Sequence, residues 1–362
     1  MGDESVVTKA GKKTYGLDRF FAGLYGKPVP GLAFFALSLV NVQERRSYPI
    51  MVEQQIRQAD DKKATRPKKK KKKRPVSNGK PGRPKGSKNK EKTKVTLTTE
   101  LQLIKNMVRK LLRLSNGAIS LTYLVLDGHF GNNNALQMTR QCGLQLISKL
   151  RYDAALYMPY VGPQNKFGPR RKYGDRIDYD NLSPTTLKQS TVEDDLRTNI
   201  YQANLWHKEF AQLLNVVIIA KVNLQTGAHA HVVLFSSDCT LAYGELIDYY
   251  ALRFQIEFNF REAKQYWGLE DFMNTTETAV TNAANLSLFM VNVAALLLLD
   301  FRQQTPTFGV LDLKAHFRGY KYAAETIKLL PEKPDPILLR QVFDSVARLG
   351  CIHAAEPCFN SP

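Results

Sequence analysis

Cysteine is scarce in this 362-residue chain: four residues, at positions 142, 239, 351 and 358, with no Cys-x-x-Cys pair. That excludes a disulfide framework and fits a reducing compartment. The cluster Cys351, His353 and Cys358 offers only three ligands, at spacing ill suited to zinc. An export signal is also missing from the opening, because Met1-Gly2-Asp3-Glu4 is acidic and no apolar segment follows it. Long apolar runs are nearly absent too. The one candidate, 284–299, is interrupted by Asn285 and Asn292 and falls short of a membrane span, so it reads as a buried core helix and no membrane partner is expected.

Acidic residues are missing from one segment in particular. Between Lys62 and Lys94 stand 17 Lys or Arg against the single acid Glu91, so this stretch carries +16 of the formal +19. The rest of the chain is close to neutral, and any grip on nucleic acid outside this segment must come from local patches. Prolines at 67, 75, 81 and 84 and glycines at 79, 82 and 86 accompany the lysines, a composition that cannot bury a core. Residues 61–95 are therefore expected to be a disordered, solvated insertion.

What remains has the texture of an α/β protein. Residues 1–60 hold a paired set of strands, with 30–42 and SYPIMVEQQI forming a β-hairpin. From Thr98 the pattern turns helical: Thr98 or Thr99 can cap, and Leu101, Ile104, Val108, Leu111 and Leu112 recur at helical spacing. TYLVLD (122–127), the helical stretch NNALQMTRQCG and the strand LQLISKL (144–150) form a parallel crossover unit closing a core region 96–150. In such sheets functional groups gather at strand C-termini, where Asp127 stands. Residues 151–244 are β-rich, with VVIIAKV and HAHVVLFS joined by a turn at Gln225-Thr226-Gly227, and read as a separate β-rich insertion. Within it NLWHKEF reads as an amphipathic helix that buries Trp206. Helices return at 245–304 and continue through a C-terminal region, 305–362.

The chemistry concentrates near residue 257. With Arg253 at zero on a helical wheel, Tyr250 lies at about 60°, Glu257 at about 40° and Lys264 at about 20°, a narrow polar stripe on one helix. Phe254, Ile256, Phe258 and Phe260 surround it, so the stripe should face a cleft or a ligand. A carboxylate flanked by cations suits metal-assisted phosphodiester chemistry: the acid holds a divalent ion, Arg and Lys grip phosphates, and Tyr hydrogen-bonds a phosphate oxygen. On spacing alone, an i, i+4 surface salt bridge between Arg253 and Glu257 accounts for the pair equally well.

The run YALRFQIEFNFREAK resembles the Tyr-x2-Arg-x3-Glu-x6-Lys signature of one branch of bacterial insertion-sequence transposases of the three-carboxylate (DDE) type. The resemblance implies a ribonuclease H-like mixed sheet flanked by helices, with a β-rich insertion between the second and third carboxylates. It makes Glu257 the third metal-binding carboxylate and Asp127, followed by Gly128-His129-Phe130, the second. Asp3-Glu4-Ser5, with Lys9 and Gly11 following, is similar to the first, so Asp3 is the choice, with Glu4 and Asp18 as rivals. Two Mg²⁺ or Mn²⁺ ions are implied as cofactors. Implied partners are double-stranded DNA, as terminal inverted repeats and target, and a second copy of the chain in a homodimeric DNA complex. The setting implied is the cytoplasm of a bacterium, close to the nucleoid. His129 could orient a phosphate or Asp127. Relatives that cut through a DNA hairpin can stack an aromatic of the insertion on a flipped base, a role for which Trp206 is the candidate.

In the basic segment KPGRPKGSKNK (80–90) resembles an AT-hook: Gly82 permits close approach, Arg83 suits a narrow A·T-rich minor groove, Pro84 keeps the chain extended, and Lys80 and Lys85 flank the phosphates. A solvated linker binding any polyanion is the simpler alternative. Because family members usually carry a helical repeat-binding region before the first carboxylate, an N-terminally truncated copy is expected. Two other functions compete: a ribonuclease H-like nuclease without strand transfer, and a catalytically inactive DNA-binding remnant.

Overall fold

The computed structural model describes residues 1–57, 91–164, 166–332 and 334–353. The lysine-rich segment, including Lys80, Arg83 and Lys85 and the AT-hook-like motif, and also Cys358, lie outside the described residues. The chain is a mixed α/β protein that divides into two compact units, residues 1–257 and 258–362.

The first unit opens with β1 (Gly2–Thr8), β2 (Asp18–Ala22), β3 (Lys27–Asn41) and β4 (Arg46–Gln55), all antiparallel. The long β3 is central: β1 pairs with it along one edge, and β2 and β4 pair with successive parts of the other. The hairpin expected from the two apolar runs is β3–β4. Buried Leu32 to Leu37 form an unbroken apolar run because β3 is covered on both faces. Helix α1 (Thr99–Ser115) starts where the Thr98 side chain accepts a hydrogen bond from the Leu101 amide at 3.2 Å. Its Leu101, Ile104 and Val108 are buried, each contributing roughly 1.5–3 kcal/mol, while Leu111 and Leu112 pack at the margin of the same core.

Next come β5 (Tyr123–Val125), α2 (Asn133–Arg140) and β6 (Gln145–Leu150). β5 and β6 are parallel, Leu124 facing Leu146, as the crossover reading requires. The rest of the unit is strands: β7 (Leu156–Pro159), β8 (Tyr173–Arg176), β9 (Leu187–Glu193), β10 (Leu196–His207), β11 (Leu214–Asn223) and β12 (His229–Ser236). They do not form a sheet of their own. β12 pairs antiparallel with β6, from Val233 opposite Leu150 to Ser236 opposite Ile147, giving one eight-stranded sheet in the order β5-β6-β12-β11-β10-β7-β8 with β9 beside β10.

Residues 204–207 of the stretch read as an amphipathic helix belong to β10, which pairs with β11 residue for residue from Leu196↔Asn223 to Leu205↔Leu214. Trp206 is half-buried rather than enclosed. Helix α3 (Tyr243–Leu252) follows, and α4 (Gln255–Tyr266) carries the boundary between the units.

The second unit holds the remainder of α4 and then α5 (Glu277–Gln304), α6 (Val310–Ile327) and α7 (Pro336–Arg348). α5 extends well beyond the apolar run seen in the sequence. At 28 residues it is long and apolar enough, by length and composition, to cross a membrane, which corrects the expectation that it falls short. Its Val280, Ala284, Ser287, Leu288, Val291, Ala294, Ala295 and Leu298 are buried at the spacing of three and four of a helix packed along one face. Gly319 lets α6 approach α7: a Cβ there would lie 2.4 Å from the Val346 carbonyl oxygen.

Candidate active site

Strand alternation decides which N-terminal acid faces the site. Successive side chains of β1 point to opposite faces, so Asp3 and Glu4 meet different neighbours. Asp3 Oδ2 lies 2.5 Å from Arg253 Nη1, and its Oδ1 accepts the Glu4 amide at 2.8 Å. Glu4 instead neighbours Glu100 and His129. Asp18, the other rival, sits on β2 opposite Gly31, where its carboxylate accepts the Arg19 amide.

Asp127 follows β5. Leu126 N–H donates to the Ile147 carbonyl at 3.0 Å, Ser148 Oγ donates to the Asp127 carbonyl at 2.6 Å, and Asp127 Oδ1 accepts the His129 amide at 3.1 Å, capping a 3₁₀ turn at Gly128–Phe130. Asp127 is thus both a strand-end acid and a turn cap. The turn is pressed onto β6 at Gly131, where a Cβ would lie 2.1 Å from the Lys149 carbonyl oxygen.

The four-residue stripe does not lie on one helix. α3 stops at Leu252 and α4 starts at Gln255, and the amides of Arg253, Phe254, Ile256 and Glu257 each bond a carbonyl three residues back. This tight turn changes the phase of the wheel. Even so it brings Arg253 and Glu257 together, with Nη2 3.0 Å from Glu257 Oε1, and sets the guanidinium 5.9 Å from the Tyr250 ring centroid. Of the aromatic and aliphatic side chains around the stripe, Ile256 and Phe260 are buried, whereas Phe254 and Phe258 are exposed. Lys264 belongs to the second unit, where its Nζ lies 3.1 Å from Glu270 Oε1.

Asp3, Asp127 and Glu257 therefore share one electrostatic neighbourhood. Burial pushes the Asp3 carboxyl up to about 6; Arg253 opposes the rise, and the negative charges of Asp127 and Glu257 add to it. Burial also raises the Tyr250 hydroxyl, against the lowering effect of Arg253. Arg253 is the shared cation of Asp3 and Glu257, and its Nε is buried without a hydrogen-bond partner. Three carboxylates from three separate elements make an all-oxygen donor set of the kind hard divalent ions take. The chemistry fits such ions, and the two carboxylates already lean on one positive charge. Among the described residues no three His, Cys, Asp or Glu side chains stand close enough together to ligate one ion, and Arg253 occupies Asp3 and Glu257.

His129, singled out as a possible orienting group, has its Nε2 3.5 Å from Glu100 Oε2. The Glu100 hydrogen bond raises its pKa against burial, with Asp127 and Glu4 contributing smaller rises. The partner Glu100 was invisible in the sequence, being one more polar residue in the first turn of α1. Trp206 is met edge-on by Tyr173 at 6.0 Å and capped by Lys172 at 5.5 Å. At the C-terminal cluster, Cys351 Sγ donates to the Asp312 carbonyl and His353 Nδ1 lies 3.0 Å from Asp312 Oδ2.

The family model for the DDE superfamily endonuclease matches residues 1–213, more than half of the sequence, and the chain belongs to that family. It is accordingly an enzyme that acts on nucleic acid, of a family that works with divalent metals on DNA. The match spans Asp3 and Asp127 and ends before Glu257. No curated protein matches the chain.

Proposed function

We propose that this protein is a DNA transposase of the branch with the Tyr-x2-Arg-x3-Glu-x6-Lys signature, hydrolysing phosphodiesters and transferring strands at insertion-sequence ends by a cut-and-paste route. The observation that carries the reading is that Asp3, Asp127 and Glu257 share one electrostatic neighbourhood, with Arg253 bridging Asp3 and Glu257. Residues far apart in sequence have no packing reason to place three acids in one partly buried neighbourhood, and the arrangement is electrostatically costly without a cation. The antiparallel β1, β3 and β4 followed by α1 and the parallel β5 and β6 support a ribonuclease H-like core, with 151–244 as the β-rich insertion between the second and third carboxylates.

Asp3, Asp127 and Glu257 would hold two Mg²⁺ or Mn²⁺ ions, which supply an activated water or 3′-hydroxyl and neutralise the leaving oxygen. Arg253, released from Asp3, grips a phosphate beside the scissile bond; Tyr250 donates to a phosphate oxygen, and Lys264 contributes a further phosphate contact. Arg83, with Lys80 and Lys85, is the proposed minor-groove tether. The substrate is duplex DNA, terminal inverted repeats and target, bound by a homodimer in the cytoplasm of a bacterium.

The test is divalent-metal-dependent nicking of a terminal-repeat duplex by the parent chain and by Glu257→Ala, with joining of the freed 3′-end to target DNA scored separately. Cutting that depends on Glu257 and is followed by joining supports a transposase. Cutting without joining leaves a nuclease, cutting undiminished in Glu257→Ala removes Glu257 from the site, and binding without cutting by the parent leaves a DNA-binding remnant.

A further inference from the structure

At the β7–β8–β10 end of the large sheet, four aromatic rings carry cations on their faces. Trp206 and Tyr157 are directly opposite on β10 and β7, and Tyr173 of β8 meets both edge-on, at 6.0 and 5.6 Å. Lys208 Nζ stands 4.5 Å from the Tyr157 centroid and 6.0 Å from that of Tyr173, Lys172 Nζ 5.5 Å from Trp206, and Arg171 Cζ 4.3 Å from Tyr160. The rings are half-buried and the three cations exposed. From Ala154 to Gly174 the chain carries Lys166, Arg170, Arg171 and Lys172 and no acid.

An ion pair with a carboxylate fixes a lysine but cancels its charge. A ring face fixes it by its quadrupole and leaves the net charge and the N–H donors available. Among the described residues no carboxylate pairs with Arg171, Lys172 or Lys208. The backbone beneath them is held as well: Gln164 bonds the Arg171 amide and carbonyl at 2.7 and 3.0 Å, and the Lys92 ammonium donates to the Lys208 and Phe210 carbonyls at 2.5 and 3.3 Å. Because the ring faces are already capped, the surface is built to meet phosphates rather than to stack bases.

We infer that Arg171, Lys172 and Lys208 form a preorganised phosphate-binding surface that grips the backbone of duplex DNA, separate from the carboxylate site. The inference rests on the reading of DNA as substrate. Each phosphate neutralised contributes about 0.9 to the slope of log K against log salt concentration. In the full chain, on a Glu257→Ala background, the further change to Arg171→Gln, Lys172→Gln and Lys208→Gln should lower that slope by about 2 to 3, read by fluorescence anisotropy on a labelled duplex. Lys172→Arg with Lys208→Arg should keep it. Lysine acetylation read by mass spectrometry should show Lys172 and Lys208 shielded by duplex, and much less by single strands. An unchanged slope in the correctly folded Gln variant, or equal acetylation with and without duplex, overturns the inference while leaving the transposase reading intact. Failure of the unaltered chain to bind any DNA overturns both.

Discussion

Arg253 closes on Asp3 at 2.5 Å across 250 residues of sequence and at the same time holds Glu257, so one guanidinium sits between two of the three acids proposed to bind metal. A divalent ion and Arg253 then compete for the same oxygens. Replacing the guanidinium by a neutral amide removes the competitor. Mn²⁺ should bind Arg253→Gln about three- to tenfold more tightly than the parent, a gain on the order of 1 kcal/mol, while DNA cutting falls because the phosphate contact is lost. Calorimetric titration with Mn²⁺ in the absence of DNA checks this, and weaker binding by the variant would show that Arg253 helps to build the metal site.

Asp3 is also a source of pH dependence. Its carboxyl is pushed up to about 6, chiefly by burial, from an ordinary value near 3.8. The folded chain therefore binds a proton that the unfolded chain does not between those two values, so stability falls as pH rises across that window and stays reduced above it. A rise of that size corresponds to roughly 3 kcal/mol, of which Asp3→Asn should recover about 1–2 because it also forgoes the pair with Arg253. The variant should melt higher than the parent at about pH 8 and draw level with it at about pH 4, with cutting abolished. A melting temperature below the parent's at the higher pH would contradict this account.

The turn that carries Asp127 depends on a missing side chain. A Cβ on Gly131 would lie 2.1 Å from the Lys149 carbonyl oxygen, and a backbone atom cannot swing away as a flexible side chain can. Gly131→Ala should lift the 128–131 turn from β6, cost about 1–3 kcal/mol as overpacking does, and displace Asp127 enough to weaken Mn²⁺ binding. A crystal structure of the variant with Asp127 in place would refute it.

Much of the frame was legible because burial leaves a local signature. The β3–β4 hairpin showed as two apolar runs around a polar turn, α1 as a Thr cap followed by helical spacing, and the parallel β5–β6 pair as strand, helix, strand. Where two periods fit one stretch, long-range pairing decided. Leu205, Trp206 and Phe210 satisfy a helical face about as well as a strand, and pairing with β11 at Leu205 and with β7 at Trp206 holds those two in a strand. The break between α3 and α4 had no punctuation either, since Leu252-Arg253-Phe254-Gln255 contains neither Gly nor Pro. Of the candidate site, the sequence singled out the three acids, Asp127 by its place after a strand and Asp3 and Glu257 by their likeness to a signature. Arg253 bridging Asp3, Glu100 holding His129 and the ring-capped cations stayed hidden, because each joins side chains that only the sheet order brings together.

The second unit has its own pH switch point in Asp312, which is 1% exposed and sits in the first turn of α6. It accepts the Gly309 amide at 2.9 Å, the Ile352 and His353 amides at 2.6 and 3.1 Å, and the His353 ring at 3.0 Å, tying the start of α6 to the segment after α7. Burial by itself would raise the carboxyl, but the hydrogen bonds from Gly309, His353 and Ile352 outweigh it and bring the pKa down to about 2. The sign is opposite to that at Asp3: this contribution is complete above about 4, the unfolded value, and is lost as pH falls toward about 2. Asp312→Asn keeps one acceptor oxygen but turns an NH₂ group against amide donors, so it should cost about 2–3 kcal/mol at neutral pH. The deficit relative to the parent should shrink as the solution is acidified below about pH 4. Thermal unfolding of parent and variant across that range checks the sign, and a deficit that grows on acidification would mean that the carboxylate is not what those amides hold.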